Sequence, residues 1–325
     1  MTQAPPSRRF AATDLVPAPV LEKVRARSAF MGAAMIAHAW GLIALAIAMV
    51  AFTPHPALLL ITCPLAVAVI GSRQLGLAIL MHEGAHGGLA RDDRVNLWLS
   101  QWLCAYPVFA ETMAYRSYHL PHHAHAQTDK DPDLGLSAPF PISRASLTRK
   151  MIRDLTGQTG LKQRMAQIRG ALGKPEWPLR QRARHFWSKL GRPLVVNAVL
   201  FAILAAAGVW WAWPLLWLVP LITWQQMVTR IRNIAEHAVL PVNGDPMGVA
   251  RTTKGGWIER LFLAPYWVNY HAEHHLMMYV PCYNLPRLHR ALMITDARAR
   301  LPVSRDYLSV LRLATSRPNP VPAAA

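Results

Sequence analysis

Long apolar stretches with almost no charged residues constrain the fold of this chain more than any other feature. Residues 28–52 contain no acidic residue, lysine or arginine over 25 positions, residues 57–70 form a second apolar block, and residues 194–229 form a third. A helix needs about 20 apolar residues to cross a bilayer. Only 16% of the residues are charged, whereas soluble domains have roughly 25%. The pattern predicts an integral membrane protein rather than a soluble protein with a large core.

Turn residues divide the apolar blocks into four predicted transmembrane helices. The first covers residues 28–52, and the second starts at Ala57 and continues past Arg73 as one long helix. The third block divides near residues 210–214 (WWAWP), a sequence typical of a membrane surface, and this gives the third and fourth helices. A further apolar stretch, residues 97–110, is too short to span and is expected to lie in the interface or to re-enter.

The net charge of +18 makes a nucleic acid a candidate partner. The excess charge is concentrated, however, because residues 142–192 hold 13 lysines and arginines and only two acidic residues. A short basic segment between membrane spans is typical of a cytosolic loop. We therefore expect no nucleic-acid partner and place this segment in the cytosol. With four spans, both termini and all the histidine groups described below are predicted to lie on that side.

One membrane domain with two short tails is the predicted organisation. Residues 1–27 hold four prolines and are expected to be a mobile N-terminal tail, residues 28–317 a single domain, and residues 318–325 a C-terminal tail. The first apolar block is too long for the core of a signal peptide, so an uncleaved anchor is expected. The three cysteines are scattered without a CxxC pair, which argues against a disulfide framework or a thiolate metal site.

Nine of the 14 histidines fall into four tight groups. The groups are His82 and His86 in HEGAH; His119, His122 and His123 in HLPHH; His237 at the end of NIAEH; and His271, His274 and His275 in HAEHH. Their spacing is i, i+4 or i, i+3, i+4, and such positions share one face of a helix. Each group is therefore expected to present its imidazoles to a common point. Pro121 predicts a helix start or a turn within the second group.

Nine imidazoles are more than one metal ion can hold, so the sequence predicts two ions. Imidazole is a suitable ligand for Zn, Cu, Fe and Ni. Redox chemistry on an apolar substrate favours iron, because zinc does not change oxidation state. The remaining histidines are interpreted as lying outside the set of metal ligands. We expect His125 to lie in the outer layer of the site or at the surface, and four others to be isolated side chains: His38, His55, His185 and His289.

Polar side chains beside the histidine groups are candidates for an outer layer of the site. We predict that Asp131, Glu236 and Glu273 accept hydrogen bonds from ligand N–H groups, which fixes the tautomer of each histidine. Asn233 precedes His237 by four residues. Its neutral amide can donate and accept, so it is expected to act through a water molecule rather than as a direct ligand.

The histidine groups resemble the histidine boxes of the membrane fatty acid desaturase superfamily. The matching elements are HxxxH at 82–86, HxxHH at 119–123, NxxxH at 233–237 and HxxHH at 271–275. The DPD sequence at 131–133 and VPCYNLPRLH at 280–289 resemble bacterial members of that superfamily. The resemblance runs from about residue 30 to about residue 290, and the combination is far more specific than any single box.

The resemblance implies an all-α integral membrane fold in which four transmembrane helices carry a cytosolic helical cap with a di-iron site. It implies that the nine histidines bind two Fe ions, that O2 is the co-substrate, and that an acyl chain of a lipid or acyl thioester loses two vicinal hydrogens. The sequence has no HPGG haem motif and no cysteine set for an iron–sulfur centre. A ferredoxin-like protein is therefore expected to supply electrons, and the bacterial inner membrane is the expected location.

Three other functions remain as alternatives. Hydroxylases and ketolases of lipids or isoprenoids share the same metal site, although the 147 residues between His123 and His271 favour an acyl desaturase. HEGAH also matches the HExxH signature of zinc proteases, in which Glu83 would be the general base. That interpretation leaves seven grouped histidines unexplained. A metal carrier would need a polar path through the spans, and the first and third spans contain no acidic residue.

Overall fold

The computed structural model describes residues 11–240 and 245–318, and most of them are helical. The α-helices are α1 (Ala12–Leu15), α2 (Ala18–Arg25), α3 (Ala29–Ala51), α4 (Leu59–Ala85), α5 (Asp93–Trp98), α6 (Thr112–His125), α7 (Leu134–Ser137), α8 (Arg144–Leu155), α9 (Gln158–Ala171), α10 (Leu179–Ala206), α11 (Val219–Ile222), α12 (Trp224–His237), α13 (Trp257–Phe262), α14 (His271–Leu276), α15 (Leu285–Leu292) and α16 (Tyr307–Ala314). Two short strands, β1 (Thr252–Thr253) and β2 (Val303–Ser304), pair in parallel. Leu99–Ala105 and Trp213–Leu218 are π-helical.

Three helical stretches are long and apolar enough to cross a membrane: Ala29–Ala51, Pro56–Ala85 and Leu179–Ala206. Ser28 immediately precedes the first stretch. Its side chain accepts a hydrogen bond from the Met31 N–H and so satisfies one free donor of the first turn. The second runs without a break past Arg73, as the sequence predicts. These three stretches fit membrane association of the chain.

The segment predicted as a fourth span is divided in the structure. A π-helical turn ends at Leu218, α11 ends at Ile222, and Thr223 has a backbone conformation (φ −117°, ψ −88°) that separates α11 from α12. Pro214 and Pro220 each lack an N–H donor, which is one reason why a regular helix does not form here. The four-span topology and the cytosolic position of the cap therefore stay predictions.

Buried polar residues interrupt the apolar sequence of α4 at Ser72, Arg73 and Gln74. Ser72 Oγ donates to the carbonyl of Phe262 at 2.9 Å, Arg73 donates to the carbonyl of Leu261, and Gln74 donates to the carbonyl of Trp217 at 2.7 Å. Each bond joins α4 to backbone that is at least 140 residues away in sequence. These three side chains therefore hold the middle of α4 against the C-terminal half of the chain.

The N-terminal segment differs from the predicted tail. Residues 12–25 form α1 and α2, and Leu21 and Val24 are buried. The side chain of Asn284 donates to the carbonyl of Val24 at 2.9 Å. The first ten residues lie outside the described part of the chain, as does the predicted C-terminal tail beyond residue 318.

Residues 97–110 also have a defined position. The first two of these residues end α5. The others continue through the π-helical segment Leu99–Ala105, which packs against α4. A Cβ atom at Gly84 would lie 2.2 Å from the Cβ atom of Ser100, so only glycine permits this approach. Ser100 and Thr112 share a hydrogen bond of 2.8 Å between their hydroxyls. The contacts of Ser100 with Gly84 and with Thr112 bring the end of α4 next to the start of α6. Both helices carry grouped histidines.

Candidate metal centre

Four helices bring the nine grouped histidines together. The end of α4 presents His82, and His86 follows as the residue that caps this helix. α6 carries three of the grouped histidines, α12 ends at His237, and α14 carries the last three. α6 continues through Pro121 without a break. The expectation of a helix start or turn at this proline is therefore wrong, and His119 and His123 lie one turn apart on one helix face.

The imidazoles form two clusters in which the candidate ligand atoms all lie within 4.8 Å of one another. Cluster one contains His82, His86, His119, His123 and His274; cluster two contains His122, His237, His271 and His275. The clusters are neighbours, because the rings of His123 and His275 stack with their centroids 4.3 Å apart. Either cluster offers enough nitrogen donors to hold a metal ion.

The second and fourth sequence groups are each divided between the clusters, which corrects the expectation of one common point per group. On α6, His119 and His123 belong to cluster one and His122 to cluster two. On α14 the arrangement is reversed, because His271 and His275 belong to cluster two and His274 to cluster one. Positions i and i+4 point the same way, whereas position i+3 is displaced around the helix. α6 and α14 therefore each contribute histidines to both clusters.

Seven of the 18 ring nitrogens in these clusters are buried and have no hydrogen-bond partner in the described part of the chain. They occur in six of the nine residues: His82, His86, His119, His123, His271 and His274. Other ring nitrogens face each other, because the Nε2 of His123 lies 2.9 Å from that of His119 and 3.1 Å from that of His274. Leaving buried polar atoms unpaired costs free energy unless something else binds them. Converging imidazole nitrogens are the donor set that a transition metal requires, so the residues present fit metal ions.

Burial lowers the pKa of several clustered histidines and favours their neutral form. Desolvation, together with the nearby charge of Arg116, lowers the pKa of His86 to about 3. Desolvation and repulsion by His122 likewise lower the pKa of His237 to about 3. The pKa values of His271, His274 and His275 are also well below the ordinary range, with burial as the largest cause. Neutral imidazole is the form that binds a metal ion.

Two histidines of cluster two have their ring orientation fixed through Nδ1. The Nδ1 of His122 donates to a carboxylate oxygen of Asp131 at 2.8 Å, and the Nδ1 of His237 donates to the carbonyl of Val249 at 3.1 Å. Since a carboxylate and a carbonyl only accept, both rings must carry the proton on Nδ1. Their Nε2 lone pairs are then free to face the cluster. Asp131 therefore contacts a clustered histidine, and its role in an outer layer of the site stays a prediction.

The two predicted glutamates make different contacts. Glu236 accepts from Arg232 at 2.6 Å, and its second oxygen lies 3.6 Å from the Nε2 of His271. Desolvation raises the pKa of Glu236 to about 7, even though Arg232 acts in the opposite direction. Glu273 is fully buried and accepts from the Thr252 hydroxyl and, at 2.6 Å, from the Nδ1 of His289.

His289 therefore belongs to the surroundings of the site, although the sequence places it among the isolated histidines. Its partner Glu273 lies between two clustered histidines on α14. The contact joins α15 to α14 across 16 residues, and no sequence spacing indicates it. Asn233 lies one turn before His237 on α12 and is half-buried.

Both carboxylate oxygens of Glu83 have neighbours within the protein. One of its oxygens accepts the backbone N–H of Cys282 at 2.9 Å, and the other lies 3.8 Å from the Nδ1 of His82. A Cβ atom at Gly88 would lie 2.7 Å from the same carboxylate. The backbone around residues 83–88 therefore encloses this side chain.

Two cavities lie near the clusters. A narrow one of about 10 Å³ is lined by His82, His271 and His274, by Glu83, and by apolar side chains that include Ile79, Val268 and Leu285. A larger pocket of about 370 Å³ lies between the start of α6, α9 and α10. Tyr115 lines this pocket and stacks on His119 with ring centroids 4.9 Å apart. The narrow cavity therefore touches both clusters directly, and the ring of Tyr115 lies between the larger pocket and cluster one.

Comparison with known proteins agrees with this arrangement. A family model described as fatty acid desaturase matches residues 54–307. The chain is also 28% identical over 256 residues to the dihydrorhizobitoxine desaturase of Bradyrhizobium elkanii, and the alignment covers 76% of this chain and 72% of that protein. The region matched by the family model contains all nine clustered histidines. The chain belongs to the fatty acid desaturase family and is an oxidoreductase of that family.

Proposed function

We propose that this protein is an O2-dependent di-iron oxidoreductase that removes two vicinal hydrogens from the acyl chain of a membrane lipid or acyl thioester. The observation that carries the proposal is the pair of adjacent clusters, with five imidazoles in one and four in the other. The proposed iron ligands are the nine clustered histidines. Asn233, Asp131, Glu236 and Glu273 are proposed to act in the surrounding layer rather than as ligands.

The donor set favours iron over zinc. A structural zinc ion is satisfied by four ligands, whereas cluster one offers five neutral nitrogens. Two iron ions held by the two clusters would supply, with O2, the oxidising power to remove hydrogen from an unactivated C–H bond. The protein's own contribution is to keep the imidazoles neutral, to orient them through contacts such as His122–Asp131, and to exclude water from the reacting carbon.

The apolar side chains near the clusters support an apolar substrate. Ile79, Val268 and Leu285 line the narrow cavity next to His82 and His274, together with Glu83, Tyr266 and Cys282. At about 10 Å³ this cavity has room for about one water molecule, so a carbon chain would enter it only if the lining side chains move apart. The larger pocket of about 370 Å³, which Tyr115 lines, has room for part of an acyl chain.

The zinc-protease alternative finds less support in the geometry. A general base must be within hydrogen-bond reach of a bound water, but one Glu83 oxygen is occupied by the Cys282 N–H. His82 and His86 are also joined by three further imidazoles, which would leave a zinc ion no open position. Hydroxylation or ketone formation stays the second candidate, because it needs the same clusters.

The proposed partners are the bilayer and a small electron-transfer protein. Arg180 and Arg184, at the exposed start of α10, belong to a basic segment that suits an acidic donor such as a ferredoxin. We place the protein in a bacterial inner membrane with its metal centre and termini on the cytosolic side. This orientation follows from the basic segment and the proposed four-span topology.

Product analysis of the reconstituted enzyme tests the proposal. Purified protein in lipid vesicles, supplied with ferredoxin, a ferredoxin reductase and O2, would be compared with the His275→Ala variant by mass spectrometry of the lipids. Loss of two hydrogens that depends on His275 supports desaturation, whereas gain of an oxygen atom identifies a hydroxylase. Dihydrorhizobitoxine, after which the Bradyrhizobium elkanii desaturase is named, should be offered in parallel. Turnover of that compound with no lipid product would overturn the lipid substrate.

A further inference from the structure

Helix α9 exposes a continuous apolar stripe. Leu161, Met165, Ile168 and Leu172 are 53%, 49%, 40% and 36% exposed, respectively. They are spaced i, i+4, i+7 and i+11, so they follow one face of the helix and its final turn. Single exposed apolar residues are ordinary on a protein surface, but a row of four along one helix marks a surface that something else covers.

The other side of α9 is already packed against the protein. A Cβ atom at Gly160 would lie 2.4 Å from the carbonyl oxygen of Ile222, so the first turn touches the end of α11. Gln167 donates to the carbonyl of Phe109 at 2.7 Å, and Ala171 is buried. The apolar stripe therefore does not face the core, and Lys162 and Arg169 lie exposed beside it.

The position of α9 along the chain places the stripe where the third transmembrane stretch begins. α9 packs against α10, and α10 starts only eight residues after α9 ends. Trp187, in the first part of α10, is 61% exposed. Exposed tryptophan beside basic residues is typical of the boundary between water and bilayer. The stripe is thus continuous with a surface that suits contact with lipid.

The exposed charge of the segment that contains α9 is mostly positive, although Glu111 lies beside α9 in the pocket that Gln167 lines. Of the two acidic residues in the segment 142–192, Asp154 is buried in an ion pair with Arg230, whose Nη2 lies 2.8 Å from the carboxylate. The structure describes this whole segment, and Glu176 is its only exposed acidic residue. Lys162 and Arg169 form no ion pair within the described part of the chain. Such a surface is complementary to an anionic lipid headgroup layer.

We propose that α9 lies along the surface of the bilayer that α3, α4 and α10 cross. Its apolar stripe is immersed at the boundary of the headgroups, and Lys162 and Arg169 bind anionic phospholipid headgroups. An amphipathic helix with a basic flank takes this position in a membrane. The inference is independent of the reaction that the metal clusters catalyse.

Spin labels test the orientation. Single cysteines for nitroxide attachment replace Met165 and Ile168 on the stripe, and Gln163 and Ala166 on the exposed side away from it. Each protein is reconstituted in vesicles of phosphatidylcholine and phosphatidylglycerol. The stripe labels should collide more with O2, which enters the bilayer, than with a water-soluble nickel chelate, and the other two labels should show the reverse. Equal nickel access at all four positions, or labels on the stripe shielded from both reagents by a protein partner, would overturn the proposal.

A charge variant tests the lipid specificity. When phosphatidylglycerol is omitted, the stripe labels should lie at a shallower depth in the otherwise unchanged protein. The Lys162→Gln/Arg169→Gln variant should show the same depth in both lipid compositions. The matched control is Arg287→Gln/Arg298→Gln, which removes two exposed charges elsewhere and should retain the response to phosphatidylglycerol. A depth that never responds to anionic lipid contradicts the headgroup contact, even if the stripe is immersed.

Discussion

His122 and His123 are consecutive residues, yet their imidazole rings belong to different clusters, with centroids 5.8 Å apart and planes inclined at 68°. His123 pairs with His119 one turn earlier, with 2.9 Å between their Nε2 atoms, whereas His122 turns towards His237 and His275. A single turn of α6 therefore links the two clusters and sets the distance between them.

Removing either neighbour should affect one cluster more than the other. We expect His122→Ala and His123→Ala each to keep about one iron per chain instead of about two, because each loses a nitrogen donor from a different cluster. Iron content would be measured by inductively coupled plasma mass spectrometry. His125→Ala, an exposed histidine on the same helix, is the control and should keep both ions. Full iron content in both cluster variants would contradict the assignment.

Asp131 should be important without being a ligand. Burial acts to raise its pKa, but the hydrogen bond from His122 and two backbone N–H groups lower it, so the group is an ionised acceptor at neutral pH. Asp131→Asn should reduce iron affinity or turnover by about 10–100-fold, the range for residues that orient metal ligands. Asp129→Asn changes an exposed acid two residues away and should have little effect. Equal effects of the two substitutions would show that only local charge matters.

Glu83→Gln separates the desaturase from the protease hypothesis. The glutamine keeps a side-chain oxygen that can accept the Cys282 N–H, so we expect only partial loss of lipid oxidation, within about 10–100-fold. His275→Ala should abolish it. Peptide cleavage that requires Glu83 and survives in His275→Ala would instead support a zinc protease. Both variants should be assayed for lipid products and for peptide hydrolysis.

Asn233 and His237 should respond differently to alanine. His237→Ala removes one of four imidazoles from cluster two, so iron and turnover should both fall. Asn233→Ala should keep most of the iron but lose most of the turnover, since the amide can hold a water molecule beside cluster two without adding charge. Iron content and turnover should be measured on the same preparations. Turnover at the level of the unchanged protein in Asn233→Ala would make that residue purely structural.

Local spacing in the sequence predicts correctly only that histidines four residues apart come together. The i, i+4 spacing within α6 and α14 places His119 with His123 and His271 with His275, as the periodicity indicates. The assignment of His122 and His274 to opposite clusters depends on how α6 and α14 lie relative to α4 and α12. That relationship is tertiary, and so is the contact between Glu273 and His289.

Proline is the main source of wrong local expectations. Pro17 precedes α2 and Pro19 lies in its first turn, where the missing N–H has no helical partner in any case. Pro17 and Pro19, two of the four prolines that suggest a tail, therefore lie at the start of a helix. Pro121 is accommodated inside α6, although a proline usually disturbs a helix at that position. At both places, whether a helix forms depends on where the proline lies in the helix and on the packing around it, rather than on the proline alone.

The order in which the ribosome makes the chain also bears on the metal centre. Cluster one needs His274 and cluster two needs His271 and His275, all from α14. α14 is synthesised long after α4, α6 and α10 and follows all three candidate membrane stretches. Neither cluster can be complete on a nascent chain that ends before residue 274. Loading of iron is therefore expected to follow membrane insertion, and termination of synthesis shortly before α14 should leave a membrane-inserted protein without metal.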